Sequence, residues 1–371
     1  MLYLNNAATS WPRLPSVISA VRSSLENPPA EAGRTGFEDS LLKCRKAVSQ
    51  LYNAGRASQI ILTSSATQAL NQVINGIPYK KDWEVISTKA EHNSVLRPLN
   101  HRAASDNGHV FYLDPDENLT SEIARNISPR TSLVVCNHVS NVTGQILPVI
   151  EIAQLCHRHS IPILIDDSQG AGLVRLDYAS FSGEVYIAAA GHKGLLGPPG
   201  TGILILPESC SLLPWLTGGT GIHSDDPLQP DLLPLKFEAG THNTCGIDGL
   251  HAGISHVIEN TPEKFATVRR NVIDYFMEKI PDGYQAVGVT RNSFATGTVS
   301  ITHNRLTPIE LGLSLRDIFS IETRWGLHCA PLMHRYLETY PKGTLRISAG
   351  NETTTRDIEF LLEALEEVSM L

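Results

Sequence analysis

The 371 residues contain six cysteines, and no two of them form a C-x-x-C pair. That scatter excludes a disulfide framework and a cysteine-rich zinc site, and it fits a reducing cytoplasm. A basic field is missing too. Lys and Arg number 30 against 38 Asp and Glu, a formal charge of -8, so no nucleic acid is expected as a partner. No apolar run approaches the ~20 residues of a bilayer-spanning helix, so no membrane is expected either. The opening Met1-Leu2-Tyr3-Leu4-Asn5-Asn6 has neither a basic n-region nor an apolar h-region, which argues against a signal peptide. Internal repeats, low-complexity tracts and long linkers are absent.

What is present describes an ordinary globular enzyme, with 42% hydrophobic and 18% charged residues. The length allows one large α/β domain and a smaller one. From about position 36 to 206 helical and strand patterns alternate. Apolar spacing predicts a helix over Ser40 to Leu51, then a buried strand at Ile60-Ile61-Leu62 and a helix over Thr67 to Ile77. Further strands are expected at Glu84 to Ser87, Val110 to Leu113, Leu133 to Cys136, Pro162 to Ile165, Val185 to Ala189 and Gly202 to Leu206. Helices are expected between them at Ser94 to Arg102 and Val149 to His159. This alternation implies a mostly parallel sheet sandwiched by helices. From Gly218 to Gly246 the chain is rich in Gly, Pro, Asp and Thr and reads as loop. A helix is expected near Ile247. The remainder reads as a smaller α+β C-terminal domain, with a helix over Phe265 to Ile280, strands near Val299 and Leu345, and a last helix from Thr355. Residues 15–250 are assigned to the large domain, 1–14 and 251–371 to the small one.

Two strand ends carry complementary chemistry. Ile163-Leu164-Ile165 ends in Asp166, and Val185 to Ala190 ends in Gly191-His192-Lys193. Parallel strands deliver their carboxyl ends to one edge, where ligands bind. An acid and an amine there suit a cofactor that needs an anion for a ring nitrogen and an amine for an aldehyde, which describes pyridoxal phosphate. A surface lysine is the commoner fate of an isolated Gly-His-Lys, and it is the pairing with Asp166 that outweighs it. Ser65-Ala66-Thr67 stand at a strand-to-helix junction, where backbone N–H groups can reach a phosphate; an ordinary helix cap is an equal reading of that segment alone. His92 in Glu91-His92-Asn93 follows the next strand, so it can stack on a ring and move protons. Asn141 can hydrogen-bond a phenolic oxygen or a substrate carboxylate, and His192 can donate to a phosphate.

Together these segments resemble the class V aminotransferase superfamily of fold-type I pyridoxal phosphate enzymes, and within it the cysteine desulfurases. The resemblance runs from Tyr3-Leu4-Asn5-Asn6-Ala7-Ala8-Thr9 to Arg346. It includes Glu91-His92-Asn93-Ser94, Ser140-Asn141-Val142-Thr143-Gly144, Gly191-His192-Lys193, Phe237-Glu238-Ala239-Gly240-Thr241-His242-Asn243 and Gly326-Leu327-His328-Cys329-Ala330. It implies a Schiff-base role for Lys193, a pyridinium partner in Asp166, and a contact from Gln169 to the ring hydroxyl. His92 would stack on the ring, and Ala66, Thr67 and His192 would hold the phosphate. Thr241 would reach the phosphate of a neighbouring subunit, which implies a homodimer. Arg346 would clamp an amino-acid carboxylate.

The resemblance makes Cys329 the nucleophile that takes sulfur from L-cysteine, leaving alanine and an enzyme persulfide, with a sulfur-acceptor protein as a possible partner. A useful thiolate needs an electropositive, partly exposed setting, and Arg324 and His328 are expected to supply it. The short Gly-Leu-His-Cys-Ala-Pro loop is similar to that of the second group of desulfurases. Cys44, Cys136, Cys156 and Cys210 read as packed cysteines. Departures from the family pattern are Asn5 for an aspartate, Ala190 for a serine or threonine, Ser65-Ala66 for Gly-Thr or Gly-Ala, Asp167 for a small residue, and Leu327 for a histidine. The alternatives are a relative with the same cofactor (a selenocysteine, cysteine-sulfinate or cystine lyase, or an aminotransferase) and a catalytically idle binding protein. No G-x-G-x-x-G follows the first strand, which discards a nicotinamide-binding fold.

Overall fold

The computed structural model describes residues 1–27, 39–222, 225–290 and 293–370. The start of the alternating pattern at 36–38, positions 223–224 of the loop-like stretch, and positions 291–292 and 371 lie outside the described residues. The chain opens with β1 (Leu2–Tyr3) and α1 (Pro15–Glu26). It continues through α2 (Ser40–Tyr52), β2 (Ile60–Thr63), α3 (Ala66–Gly76), β3 (Glu84–Thr88), α4 (Asn93–Asp106), β4 (His109–Leu113) and α5 (Leu119–Asn126). β5 (Thr131–Asn137), α6 (Val149–Arg158), β6 (Ile163–Asp166), β7 (Val185–Ala190) and β8 (Gly202–Ile205) complete the alternating region.

These strands form one seven-stranded sheet in the order β2-β8-β7-β6-β5-β3-β4. All neighbours pair in parallel except β8, which runs antiparallel to β7 and to β2. Side chains alternate across a strand, and each face here is apolar. Ile163, Ile165, Val185, Ile187, Ile203 and Ile205 pack on one side with Leu41 and Val48 of α2 and Ile152 of α6. Leu164, Tyr186, Ala188 and Leu204 pack on the other with Leu70 and Val73 of α3 and Val95 and Leu99 of α4. Burial on both faces explains the near-continuous apolar runs of the sequence.

The second half contains α7 (Thr244–Asn260), α8 (Pro262–Glu278), β9 (Tyr284–Ala286), β10 (Thr298–His303), α9 (Pro308–Phe319), β11 (Ile321–Glu322) and β12 (Arg324–Gly326). It ends with α10 (Pro331–Tyr336), β13 (Thr344–Ser348) and α11 (Thr355–Met370). β12-β13-β10-β9 make an antiparallel sheet with its own core, to which Phe276, Val299, Leu315, Leu345 and Leu365 contribute. β1 pairs in parallel with β11, and Leu4 joins this second core. α7 starts at Thr244, three residues before the expected Ile247, because Asn243 caps it by accepting from the Gly246 N–H. It also passes through position 250 without a break, and Ile254 still packs under the large sheet. Among the described residues no helix is long and apolar enough to cross a membrane.

One buried ion pair ties the loop before α7 to the large sheet. Arg45 of α2 bonds the Glu238 carboxylate, whose other oxygen accepts the Leu62 N–H at 2.7 Å. His242 Nε2 lies 3.2 Å from the same carboxylate. Breaking a buried pair from one side strands the other charge away from water. The substitution Arg45→Met should therefore cost about 3–5 kcal/mol in urea unfolding. A loss within ~0.5 kcal/mol, the range of an ordinary surface change, would mean that Glu238 does not depend on Arg45.

Candidate active site

β3, β5, β6 and β7 all end at the same edge of the sheet, and each hands over a polar residue there. β5 ends at Asn137, β6 at Asp166, and the turn after β7 carries His192 and Lys193. His92 follows β3 as the N-cap of α4. They surround a cavity of about 200 Å³, whose walls also include Ala66, Thr67, Asn141, Gln169, Arg324 and Arg346. Ten of the expected site residues thus meet around one space. Cys329 stands just outside that wall, and Thr241 is exposed on its loop and does not line this chain's cavity.

Lys193 is half-buried and lines the cavity. Burial pushes its pKa down to about 8 against the opposing pull of Asp166, while Arg346 and Arg324 push the same way as burial. Asp166 is buried, and one of its carboxylate oxygens accepts from the backbone N–H and the hydroxyl of Ser168. Ser168 is a site residue that the motif reading missed. His92 is held down to about 4, mostly by burial and next by Lys193, so it is a neutral imidazole at physiological pH. Its Nδ1 accepts the Ser94 backbone N–H at 3.1 Å, which leaves the ring proton on Nε2.

The opposite end of the cavity is built on the start of α3. Ser65 caps that helix by accepting the Gln68 N–H, and the first-turn amides of Ala66 and Thr67 have no partner within the helix. Gly202 of β8 makes the approach possible: a Cβ there would stand 2.5 Å from the Ser65 carbonyl carbon and 2.8 Å from the Ala66 nitrogen. The Thr67 hydroxyl is 2.8 Å from Ser94 Oγ, which in turn touches His92 Nδ1 at 2.9 Å. Ser94 links the helix start to the imidazole, and the motif Glu91-His92-Asn93-Ser94 contained it without marking it. His192 is also kept neutral, its pKa lowered to about 4 by burial and then by Lys193, and its Nδ1 lies 3.0 Å from Thr9 Oγ1.

The third wall comes from the antiparallel sheet. Arg346, in the middle of β13, is buried, with Nη1 donating to the Asn141 carbonyl at 2.9 Å and Nη2 to Asn5 Oδ1 at 3.2 Å. Its Nε has no partner, and neither has Asn141 Oδ1. The free atom of Asn141 is an acceptor, so it matches a hydroxyl or ammonium donor, and not the carboxylate that the sequence also allowed. The amide nitrogen of Asn141 donates to the His328 carbonyl at 2.8 Å. Gln169 donates to the Ala7 carbonyl at 2.9 Å, which brings the N-terminal segment against the cavity.

Cys329 sits half-buried on the turn between β12 and α10. His328 and Cys329 both have positive φ, 48° and 60°. Two successive non-glycine residues in that region store strain. The turn is held by the Asn141 contact and by the Asn93 N–H, which donates to the Cys329 carbonyl at 2.7 Å. Arg324 Nη2 donates to Cys329 Sγ at 3.6 Å, so the expected cationic neighbour is in place. His328 differs from expectation. It is buried against Thr344, and burial, with Arg346 next, holds it far below the usual imidazole range. It lines the cavity as a neutral ring and gives Cys329 no charge.

Of the four cysteines read as packed, three lie in the interior and Cys210 is only partly buried, as is Cys245. Cys44, Cys136 and Cys156 are buried, and burial raises all three thiols, Cys44 and Cys156 to about 12. Asp167 turns away from the cavity, as the residue after Asp166 must. Its two oxygens meet His138 Nδ1 and the Tyr52 hydroxyl, each at 2.6 Å, in a network closed to water.

The sequence profile of the family described as Aminotransferase class-V matches residues 2–361. A probable cysteine desulfurase of Methanothermobacter thermautotrophicus is 29% identical over 400 residues, covering 99% of this chain and 94% of that protein. A cysteine desulfurase of Escherichia coli is 28% identical over 348 residues, covering 88% of this chain and 82% of that protein. The solved apo structure of a cysteine desulfurase from Thermococcus onnurineus superposes with a TM-score of 0.90 at 25% identity, covering 100% of this chain and 95% of that one.

The lysine generates a pH prediction. Its folded pKa of about 8 lies below the ~10.4 of a free lysine. Its burial therefore costs stability in full below pH 8, and that cost fades as the pH rises toward 10. In cofactor-free protein, trinitrobenzenesulfonate should label Lys193 with a midpoint near pH 8, read by peptide mass spectrometry. Asp166→Asn removes the opposing anion and should move that midpoint lower. A midpoint that rises, or stays near that of exposed lysines, would contradict this electrostatic picture.

Proposed function

Because this chain belongs to the class-V aminotransferase family, we propose that it is a pyridoxal-phosphate-dependent L-cysteine desulfurase with Cys329 as its nucleophile. One observation carries the reading: an amine, a carboxylate and a guanidinium with an unpartnered Nε line one cavity, and an arginine-bonded thiol stands just outside its wall. The fit to the cofactor rests on the residues themselves. Lys193 is a lysine whose surroundings favour the neutral, nucleophilic amine. Asp166 is a buried carboxylate without a cationic hydrogen-bond partner, and Asn141 Oδ1 is a buried acceptor without a donor. The start of α3 offers unpaired amides to an anion.

When bound, pyridoxal phosphate supplies the electron sink that lets bonds at Cα and Cβ of an amino acid break. Lys193 would hold its aldehyde carbon and carry the proton at Cα. Asp166 would keep its ring nitrogen protonated, and Gln169 and Asn141 would face its ring hydroxyl. Ala66, Thr67 and His192 would hold its phosphate. His92, neutral and with its proton on Nε2, would lie against the ring. Arg346 would take the substrate carboxylate in a charge-assisted pair, using the Nε that has no partner in the chain. Arg324 donates to the sulfur of Cys329, the atom that would attack the substrate sulfur. As the substrate Cβ–S bond breaks, its electron pair stays on carbon, a proton completes the methyl group of alanine, and the sulfur remains on Cys329 as a persulfide.

The assembly we propose is a homodimer in which the exposed Thr241 enters the partner's cavity at the phosphate end. Glu238, three residues earlier, anchors that loop to Arg45 and β2. The half-exposed Cys329 gives a sulfur-acceptor protein access to the persulfide. Six free cysteines fit a reducing cytoplasm. We take the large cofactor-binding unit as residues 15–250 extended to the end of α7, and the smaller unit as 1–14 with the chain that follows.

The test is incubation of the holoenzyme with L-cysteine. L-alanine should appear, and mass spectrometry should find one added sulfur atom on the peptide containing Cys329. Cys329→Ala should reduce alanine formation to that of the free cofactor while the protein still retains cofactor. Desulfuration at the parent rate without Cys329 would overturn the assignment of the nucleophile. A protein that binds no pyridoxal phosphate would overturn the whole reading.

A further inference from the structure

The guanidinium of Arg346 is a buried cation of the cavity wall whose described hydrogen-bond partners are all neutral oxygens. Nη1 meets a backbone carbonyl and Nη2 meets the side-chain amide of Asn5. Arg324, Cys329 and Tyr3 bear on its charge, and it in turn bears on Lys193, His92 and His328, none of which is an anion. Arg324 repels it. Tyr3 stays a phenol, since burial, and then Glu322, raises its pKa. Burial, and after it Arg324, pushes the guanidinium down to about 9. A buried charge without a counter-ion is costly, and the cost ends when a ligand brings the opposite charge.

Asn5 is not itself on the cavity wall, but its aim is fixed. Its backbone bridges Ser348 in parallel, the next N–H donates to the Ser348 carbonyl at 3.2 Å, and the Tyr3 hydroxyl donates to the Asn5 carbonyl at 3.1 Å. The side chain of residue 5 is therefore held against Nη2 whatever its charge. A carboxylate of the same shape would accept the same bond and neutralise the arginine. The amide orients the arginine and leaves its charge unspent.

We propose that Asn5 is a positioning residue that sets affinity for the substrate carboxylate, by aligning Arg346 through a neutral hydrogen bond and keeping its full charge for the ligand. The inference rests on the reading of this cavity as an amino-acid site. It assigns to Asn5 a share of substrate selection that no contact with substrate would reveal.

Calorimetric titration of the holoenzyme with L-alanine, and with ethylamine as the carboxylate-free probe, tests it. Asn5→Asp should weaken L-alanine binding by about tenfold or more, the scale of coupling between close buried charges, and leave ethylamine binding unchanged. With L-cysteine the loss should appear in KM and not in kcat. Asn5→Ser keeps the site neutral but is too short to reach Nη2, so it should weaken L-alanine binding less than Asn5→Asp does and leave ethylamine binding unchanged. The proposal is overturned if Asn5→Asp binds L-alanine like the parent, if it weakens both probes equally, or if Asn5→Ser costs as much as Asn5→Asp. A parent protein whose L-alanine affinity ignores Arg346→Leu overturns the amino-acid reading itself, an outcome distinct from a failure of Asn5 alone.

Discussion

The cavity depends on the parallel pairing of β5, β6 and β7. Val134, Ile163 and Val185 stand in register across the three strands, as do Cys136, Ile165 and Ile187. That alignment sets Asn137, Asp166 and the turn to Lys193 at one level of one edge. The apolar layers on both faces make the arrangement rigid and dry, and dryness is what lowers the pKa of Lys193 and strengthens its attraction to Asp166. A carboxylate and an amine on a solvated surface would have neither property. The chemistry of the site is thus a consequence of sheet burial as much as of residue type.

Cys329 is organised on a different principle. Its turn follows a strand of the antiparallel sheet, adopts two strained conformations in succession, and is tied back toward the parallel sheet by hydrogen bonds from Asn93 and Asn141 and by the packing of Ala330 and Met333. Hydrogen bonds to two backbone carbonyls hold it, which leaves the side chain of Cys329 directed toward Arg324, while His328 is fixed in the wall by Thr344. Both arginines come from adjacent antiparallel strands, where Arg324 pairs directly with Arg346. On the proposed function, one sheet would hold the cofactor and the other the charges that recognise substrate.

Much of this was legible in the residues. Apolar runs of four to seven residues marked the parallel strands, and polar residues just past their ends marked the edge. The motifs then brought ten of the named side chains to one cavity. The short amphipathic pieces escaped. α1 buries only Val17, so its apolar stripe carries little signal. α9 had a usable one, the capping box of Thr307 and Glu310 around Pro308. The neutral state of His328 could not be read at all, because proximity in sequence to Cys329 says nothing of burial. The destination of Thr241 was equally closed to a reading of one chain, since its own cavity does not receive it. Ser94 and Ser168 were hidden for another reason: they act on His92 and Asp166, and hydroxyls beside a charged residue are too common to stand out.

The paired carboxylates Asp166 and Asp167 have a consequence for folding. Neighbouring residues of a strand face opposite ways, so a slip of one position in β6 would set Asp167 where Asp166 stands and Ser168 where Asp167 stands. The cavity by itself would accept the slip, because either aspartate offers a carboxylate. The other side of the sheet discriminates: Tyr52 and His138 are closed off from water and need an acid between them, anchored at the depth that only Asp167 reaches. A misaligned strand would leave both without their partner in the interior. A buried polar network on the far face of the sheet therefore penalises a strand register that the cavity edge alone would accept.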